Sequence, residues 1–417
     1  MRVTKFDRER LNIGTYCIDV YARDEEHVRQ MKECGIDFLT AAPADPVLLD
    51  NCAKYGIGVV AAGILHGWWG GDGINAGQMA SQVPLSSVRE AAEKFAADPV
   101  LSSHPAIWGI DIGDEPSALD YAHYGRLIAL AEELFPGRLI YLNLYPNYAS
   151  VAQNTSEQVL SQLGTATYQE YIDRYVELVD TDYICLDNYE FSASAAQLYD
   201  NLRIVSRACI DSGRDFWIVL QVNSNKPEKW ISADMLRHQA FSSLAFGAVS
   251  INWACWTAGW WHNQVLDSNG RKTEQYDKLK AVNSELRRLE PVYMAHRNAR
   301  SLFLASAADT AIASSGCDCA QSFSNAAFSC VAPAGSERFA LGEMTGRDSD
   351  SQAVFLADVT DIGFGSGVED RTLSFRLADG YSLGVCVSGR DSHLACNDGL
   401  YTLTLKPYDA AIITAKK

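Results

Sequence analysis

The stretch Trp-Gly-Ile-Asp-Ile-Gly-Asp-Glu-Pro, from Trp108 to Pro116, constrains the fold more than any other part of the chain. An apolar run ends in two adjacent carboxylates, Asp114 and Glu115, and a proline stops it. A short, mostly apolar run of this kind reads as a buried parallel strand. Charge at its end is costly in a core but suits the rim of a barrel of alternating strands and helices. There, side chains from the carboxyl ends of the strands face an open mouth. Pro116 has no N–H to donate to a ladder, so the strand must end at it. Glu115 is therefore the first candidate for a catalytic acid.

The same alternation runs through the first 290 or so residues. Strand-like runs fall at Ile13–Ile18, Phe38–Ala42, Ile57–Leu65, Ile107–Ile112, Leu139–Leu144, Tyr183–Leu186, Trp217–Val222 and Ala248–Trp253. Helical patterns lie between them, among them Glu25–Cys34, Leu85–Ala97, Tyr121–Leu134, Tyr168–Val179, Ala195–Ser212 and Ser232–Ala245. The pattern predicts an α/β fold, either a closed (β/α)8 TIM barrel or an open doubly wound sheet. Eight repeats in roughly 250 residues favour the barrel. So does the lack of a glycine-rich dinucleotide fingerprint after any strand. After Pro291 the helical period fades, and short alternating runs appear among Ser, Gly, Asp and Thr. The expectation is a barrel over residues 1–292 and a C-terminal antiparallel β-sandwich domain over 293–417. The sandwich face carries no tryptophan cluster, so its expected role is to cover barrel surface or to build a homo-oligomer interface.

Composition excludes more than it assigns. A net charge of −17 would repel nucleic acid. No apolar window is long enough to span a membrane, and the first ten residues hold no signal core. The eleven cysteines are odd in number and scattered through apolar runs. They read as buried, reduced thiols of a cytoplasmic protein. Cys317-Asp-Cys319 is too tight for a zinc pair, and no HExxH occurs, so neither metal nor cofactor is expected.

The ends of the predicted strands share one chemistry. Strand one ends at Tyr16, and strand three in His66-Gly-Trp68-Trp69-Gly-Gly-Asp72. Strand four ends in Asp114-Glu115, and strand five in Asn143-Leu-Tyr145-Pro-Asn147. Strand six ends in Asp187-Asn-Tyr189-Glu190, strand seven in Gln221-Val-Asn223, and strand eight in Trp253-Ala-Cys-Trp256. A loop with Trp260-Trp261-His262 follows. Aromatic rings accept the apolar faces of sugars, and carboxylates and carboxamides bind their hydroxyls. A carbohydrate substrate is the expected partner. Cleaving a glycosidic bond takes two carboxyl groups, one to protonate the leaving oxygen and one to act as nucleophile or to activate water. Glu115 takes the first role, because a neighbouring acid and burial both raise its pKa. Asp187 is the first choice for the second, with Glu190 as the other candidate. Tyr16, His66, Trp68, Trp69, Asp114, Asn143, Tyr145, Tyr189, Glu190, Gln221, Trp253 and Trp256 make up the expected sugar pocket.

With these residues the chain resembles the TIM-barrel glycoside hydrolases of clan A. Gly113-Asp-Glu-Pro116 is similar to that group's Asn-Glu-Pro signature, with Asp in place of Asn. The segment Leu266 to Leu286 is similar to the close of the barrel in β-galactosidase-like members. The resemblance implies that Glu115 is the general acid/base, and it matches the family's strand-eight tryptophan to Trp253 or Trp256. It also implies a glutamate nucleophile at the end of strand seven, where this chain has Gln221. A carboxamide cannot form the glycosyl ester. Either the second carboxylate has moved to Asp187 or Glu190, or a water attacks directly, or hydrolysis is lost. The leading expectation is a glycoside hydrolase acting on short oligosaccharides or glycoconjugates. The alternative is a catalytically silent carbohydrate-binding barrel.

Overall fold

The computed structural model describes residues 5–69, 75–149, 161–305, 310–361, 363–364 and 369–417. Residues 70–72, expected at the rim, lie outside them. Eight parallel strands alternate with eight helices through the first two thirds of the chain. The strands are β1 (Asn12–Tyr16), β2 (Phe38–Pro43), β3 (Gly58–Ala62), β4 (Ile107–Asp114), β5 (Leu139–Asn143), β6 (Tyr183–Asn188), β7 (Asp215–Gln221) and β8 (Ala248–Ala254). The helices are α1 (Glu25–Glu33), α2 (Pro46–Tyr55), α3 (Leu85–Ala97), α4 (Tyr121–Leu134), α5 (Tyr168–Leu178), α6 (Ala195–Ser212), α7 (Ala233–Ala245) and α8 (Glu274–Met294). Local chemistry sets their ends. Asp24, Asp45, Thr167, Ser194, Ser232 and Thr273 each cap a helix by accepting a backbone N–H. Gly56 and Gly213 close α2 and α6 in the left-handed region. α8 continues past Pro291 to Met294, without the bond that the proline's missing N–H would have donated.

The strands curl in the order β1 to β8, and β8 pairs back on β1. The sheet is not closed by a continuous ladder. Between β5 and β6 there is one bridge, Leu144 to Leu186. The expected closed barrel is therefore a curled parallel sheet with one open seam. Tyr183 supplies the physical reason. Its hydroxyl accepts the Leu142 N–H at 2.9 Å and donates to the Ile140 carbonyl at 2.9 Å. A phenol thus takes the backbone partners that β6 would otherwise supply. The Tyr183 ring lies parallel to that of Tyr141, with centroids 6.3 Å apart, and fills the gap.

Inward residues stack in layers, as the period of two along each strand requires. At the amino-terminal end Phe6 plugs the sheet, its ring 5.0 to 5.3 Å from those of Phe38, Trp108 and Trp217. Val60, Tyr141, Cys185 and Val219 form part of the layer above. Counting two residues further along β5, β6 and β7 reaches Asn143, Asp187 and Gln221 at the mouth.

After α8 the chain forms two mostly antiparallel sheets. The larger contains β9 (His296–Ala305), β11 (Arg338–Gly346), β12 (Gln352–Asp358), β16 (Ala410–Lys416) and β14 (Ser382–Val387), in that order. The smaller contains β10 (Phe328–Pro333), β13 (Arg371–Leu377) and β15 (Leu400–Leu405). Leu341, Val354 and Ile413 of the larger sheet share one buried cluster with Phe328, Phe375 and Leu403 of the smaller. The opposite face of the larger sheet, through Phe303, Phe355 and Ile412, joins the core of the helices around the parallel sheet. The thiols divide by region. Cys34, Cys52, Cys185, Cys209, Cys255 and Cys386 are buried, whereas Cys319, Cys330 and Cys396 are exposed on the C-terminal sheets. Uniform burial of cysteine was therefore the wrong expectation.

Candidate active site

β4 sends Ile107, Ile110 and Ile112 outward to the helices and Trp108 and Asp111 inward. At its end the backbone is bent twice. Gly113 adopts φ +149°, and a Cβ there would lie 2.3 Å from the Trp68 carbonyl, so only glycine fits. Glu115 adopts φ +46°, the left-handed region that costs a branched or bulky residue. Its N–H donates to the Asn143 carbonyl at 2.9 Å, which holds the turn. Strain held by a fixed partner at a strand end is characteristic of functional positions.

The bend gives the two acids different surroundings. Glu115 Oε2 accepts the Trp69 indole N–H at 2.9 Å, and the Trp69 ring itself is 55% exposed beside it. Asp114 Oδ1 accepts from Asn143 Nδ2 at 3.1 Å. Asp114 also takes hydrogen bonds from the Tyr16 hydroxyl and the Glu115 N–H. The same Asn143 Nδ2 donates to Asp187 Oδ1 at 2.9 Å. A fourth acid, Asp111, lies one layer deeper and accepts the Gly113 N–H at 3.0 Å.

Burial dominates the electrostatics of all four. It raises Asp111 to about 7, with help from Asp114. It raises Asp187 to about 8, again with Asp114 adding to the effect. Burial and then the charges of Asp187 and Asp114 push Glu115 well above the usual carboxylate range, against the pull of the Trp69 bond. Asp114 rises only to about 6, because Asn143, Tyr16 and the Glu115 N–H offset its burial. Asp114 is thus the one of the four whose burial is most offset by donors. Coupled acids whose environments push their pKa values apart are the arrangement that acid/base chemistry needs.

The structure brings Tyr16, Trp69, Asp114, Glu115, Asn143, Asp187 and Tyr189 to this mouth. The Tyr189 ring packs edge-on against Trp261 at 5.3 Å, and its N–H donates to the Tyr148 hydroxyl at 3.0 Å. Trp68 runs beside Gly113, paired in parallel with the end of β4, and is half-buried.

Six expected members do not present their side chains to the mouth. Gln221 is fully buried, and its carboxamide accepts the Phe191 N–H at 3.1 Å while donating to the Asn223 carbonyl at 3.0 Å. It ties the loop after β6 to β7 and has nothing left for a sugar. Glu190 turns away from the mouth to His238 of α7, 3.1 Å from its Nε2. Trp253 sits one residue out of phase with the inward Ala254, so its indole points outward and donates to Asn283 of α8 at 2.9 Å. Trp256 and Tyr145 are buried among core side chains. His66 is exposed and lines a groove of about 820 Å3 against α2 and α3, outside the mouth.

Sequence reasoning missed Asp111 and Tyr148. Asp111 had a usable signal, an acid inside an otherwise apolar strand three residues before Asp114. Tyr148 had none. Among the described residues no cluster of three or more His, Cys, Asp or Glu side chains has the arrangement to hold a metal ion. No helix among them is long and apolar enough to cross a membrane.

Comparison with known proteins places the fold. No protein-family model matches the sequence, and no curated protein does. Among solved structures, the chain is similar to a cycloisomaltooligosaccharide glucanotransferase of Paenibacillus sp., with 8% identity and a TM-score of 0.58 over 98% of this chain and 85% of that one. An Anoxybacillus α-amylase aligns over 98% of both chains at 10% identity with a TM-score of 0.48. A family 30 xylanase of Clostridium acetobutylicum aligns over 97% of this chain and 96% of its own at 10% identity, TM-score 0.46. The likeness is one of fold, a TIM-barrel-like sheet followed by a second sheet unit, and it rests on the glucanotransferase.

Proposed function

We propose that the protein is a glycoside-cleaving enzyme that uses two carboxyl groups, one from strand four and one from strand six. One observation supports the reading above all: Glu115, beside the exposed indole of Trp69, is close enough to Asp187 for that charge to raise its pKa. Glu115 is the proton donor. Its carboxyl is held neutral by burial and by the charges of Asp187 and Asp114. Asp187 is the nucleophile or the base for water, and loses its proton to serve. Trp69 provides a flat apolar face for the sugar ring, with Tyr16 and Tyr189 on the opposite wall. The strand-seven position plays no part in the chemistry, because Gln221 is committed to the backbone. Short oligosaccharides or glycoconjugates inside the cell are the proposed substrates.

The test is release of nitrophenol from a panel of aryl α- and β-glycosides by wild type, Glu115→Gln and Asp187→Asn. Turnover by wild type that collapses in both variants upholds the two-carboxyl reading. Turnover that survives Asp187→Asn overturns it. Binding to an oligosaccharide array with no cleavage of any glycoside favours the silent binder instead.

A further inference from the structure

Asn143 was expected to bind a sugar hydroxyl, and its geometry leaves it no means to do so. It is 3% exposed. Both hydrogens of its carboxamide are used, one on Asp114 Oδ1 at 3.1 Å and one on Asp187 Oδ1 at 2.9 Å. Its Oδ1 faces the Cys185 thiol at 3.5 Å, and Cys185 Sγ lies 3.4 Å from the Tyr141 hydroxyl. The chain of donors therefore runs one way. Tyr141 donates to the Cys185 sulfur, Cys185 donates to the Asn143 oxygen, and Asn143 donates to both aspartates. This order fixes the orientation of an amide whose oxygen and nitrogen would otherwise be interchangeable.

We propose that Asn143 is the positioning residue of the site. Through one carboxamide it grips the carboxyl groups of strand four and strand six and dictates which oxygen of each faces the substrate. The inference rests on the two-carboxyl reading above. An amide N–H can only donate, so Oδ1 of Asp114 and Oδ1 of Asp187 must both be acceptors. Any proton on Asp187 is thereby confined to Oδ2. That oxygen is free of Asn143, and the bare Oδ1 atoms of the two acids are kept from repelling each other by the hydrogens between them. The bridge also spans the seam where β5 and β6 lack a ladder. There it lies beside the single backbone bridge, Leu144 to Leu186, and adds a side-chain link to it. Aspartate at this position would supply no donor and add another acid. Alanine would leave two acids facing each other across a gap.

The deciding experiment titrates the protein labelled with 13C at the aspartate carboxyl carbons. Asp114→Asn and Asp187→Asn assign the two resonances, and Asn143→Ala is compared with wild type. The bridge stabilises both ionised forms, so the variant raises the midpoints of Asp114 and Asp187 by about one pH unit or more. Unchanged midpoints in a folded variant overturn the proposal. Should Asn143→Ala fail to fold, Cys185→Ala keeps both donors but frees the amide to turn. It shifts the same two resonances in the same direction, and their constancy also overturns the proposal. On any aryl glycoside that wild type cleaves, Asn143→Ala lowers kcat about 100-fold and leaves KM within about twofold. A rise in KM that accounts for the whole loss would make Asn143 a sugar ligand and overturn it. If wild type cleaves nothing, the titration still decides. Shifted midpoints then uphold the bridge while the hydrolytic reading falls.

Discussion

The rim of the parallel sheet has two halves that occupy equivalent positions and are built on opposite rules. On strands four to six it carries Asp114, Glu115, Asn143 and Asp187. Three of these are acids lifted out of their ordinary range by burial, and one has a left-handed backbone. On strands seven and eight it carries Gln221, Asn223, Trp253 and Trp256, all neutral and all buried. Gln221 receives Gln239 on its own N–H and carbonyl at 3.0 and 2.9 Å, and Asn223 donates to the Cys255 carbonyl at 2.7 Å. One half keeps charge where it is costly, and the other is neutral, with the Asn223 Oδ1 and the Trp256 indole N–H left buried without a partner. Buried charge without a cation to pair with is destabilising, and this is the half to which the proposed chemistry belongs. The comparison teaches that equivalent strand ends of one sheet can be built by opposite rules, one around buried acids and the other around neutral carboxamides and indoles.

Exchanging chemistry between the halves should break the comparison if it is wrong. The largest effect belongs to Glu115→Gln. The amide mimics the neutral acid in shape but carries no transferable proton, so kcat on a responsive aryl glycoside falls about 1,000-fold. Thermal stability is retained, because the Trp69 N–H still finds an oxygen. Activity within tenfold of wild type, on the order of 1 kcal/mol, would remove Glu115 from the chemistry.

Next is Gln221→Glu, which restores the carboxylate of the clan A pattern. The new acid would lose the donor to the Asn223 carbonyl and bury a charge that is fully enclosed. Urea unfolding should show a loss of about 3 kcal/mol or more, with no gain in turnover. A stable variant with new activity would show that the strand-seven half is a dormant catalytic site rather than a structural one.

The acids of the first half also fix the sign of the pH dependence of stability. Asp111 and Asp187 titrate near about 7 and about 8 when folded, against about 3.9 in an unfolded chain. The folded state therefore binds their protons more tightly. Their contribution is fully present below about pH 4 and is lost as pH rises through the folded values toward about 8. A tenfold difference in proton affinity between the two states corresponds to about 1.4 kcal/mol. Denaturant unfolding at pH 5 and pH 8 should show wild type weaker at pH 8, and Asp111→Asn or Asp187→Asn should each reduce that difference. An equal loss in the asparagine variants would assign the pH dependence to other groups.

Much of this was legible in the sequence, and the failures have physical causes. All eight parallel strands announced themselves as apolar runs, and Asp114-Glu115-Pro116 marked where strand four ends in buried acids. The open seam was not legible, since nothing in Tyr183 says that its hydroxyl will replace a backbone partner. β9 and β16 do not show the alternation of a half-buried strand, for opposite reasons. His296–Ser301 is too polar to read as a strand, while Ala410–Lys416 is nearly all apolar because both its faces are covered. Asp187 and Glu190 lie three residues apart, and only the path of the chain after β6 decides that one faces the mouth and the other His238. Trp253 was misplaced by a single residue of strand phase, which is enough to reverse the face of the sheet.

That single-residue phase gives the finest test, a matched pair of tryptophan substitutions. Trp69→Phe removes an indole N–H that stabilises the ionised form of Glu115. Without it the Glu115 pKa rises further, so the alkaline limb of the pH–rate profile moves upward. The ring keeps its place over the sugar, so kcat/KM falls only about tenfold, on the order of 1.4 kcal/mol, and the unfolding midpoint is unchanged. Trp253→Phe removes the same chemical group on the other side of the sheet. Here the lost bond is to Asn283, which is left with a buried unpartnered oxygen. Stability drops by about 1–3 kcal/mol, while KM and the pH–rate profile stay as in wild type. If instead Trp253→Phe altered KM and left stability untouched, its indole would have to face the mouth. The separation of the rim into a reactive and a structural half would then fail at strand eight.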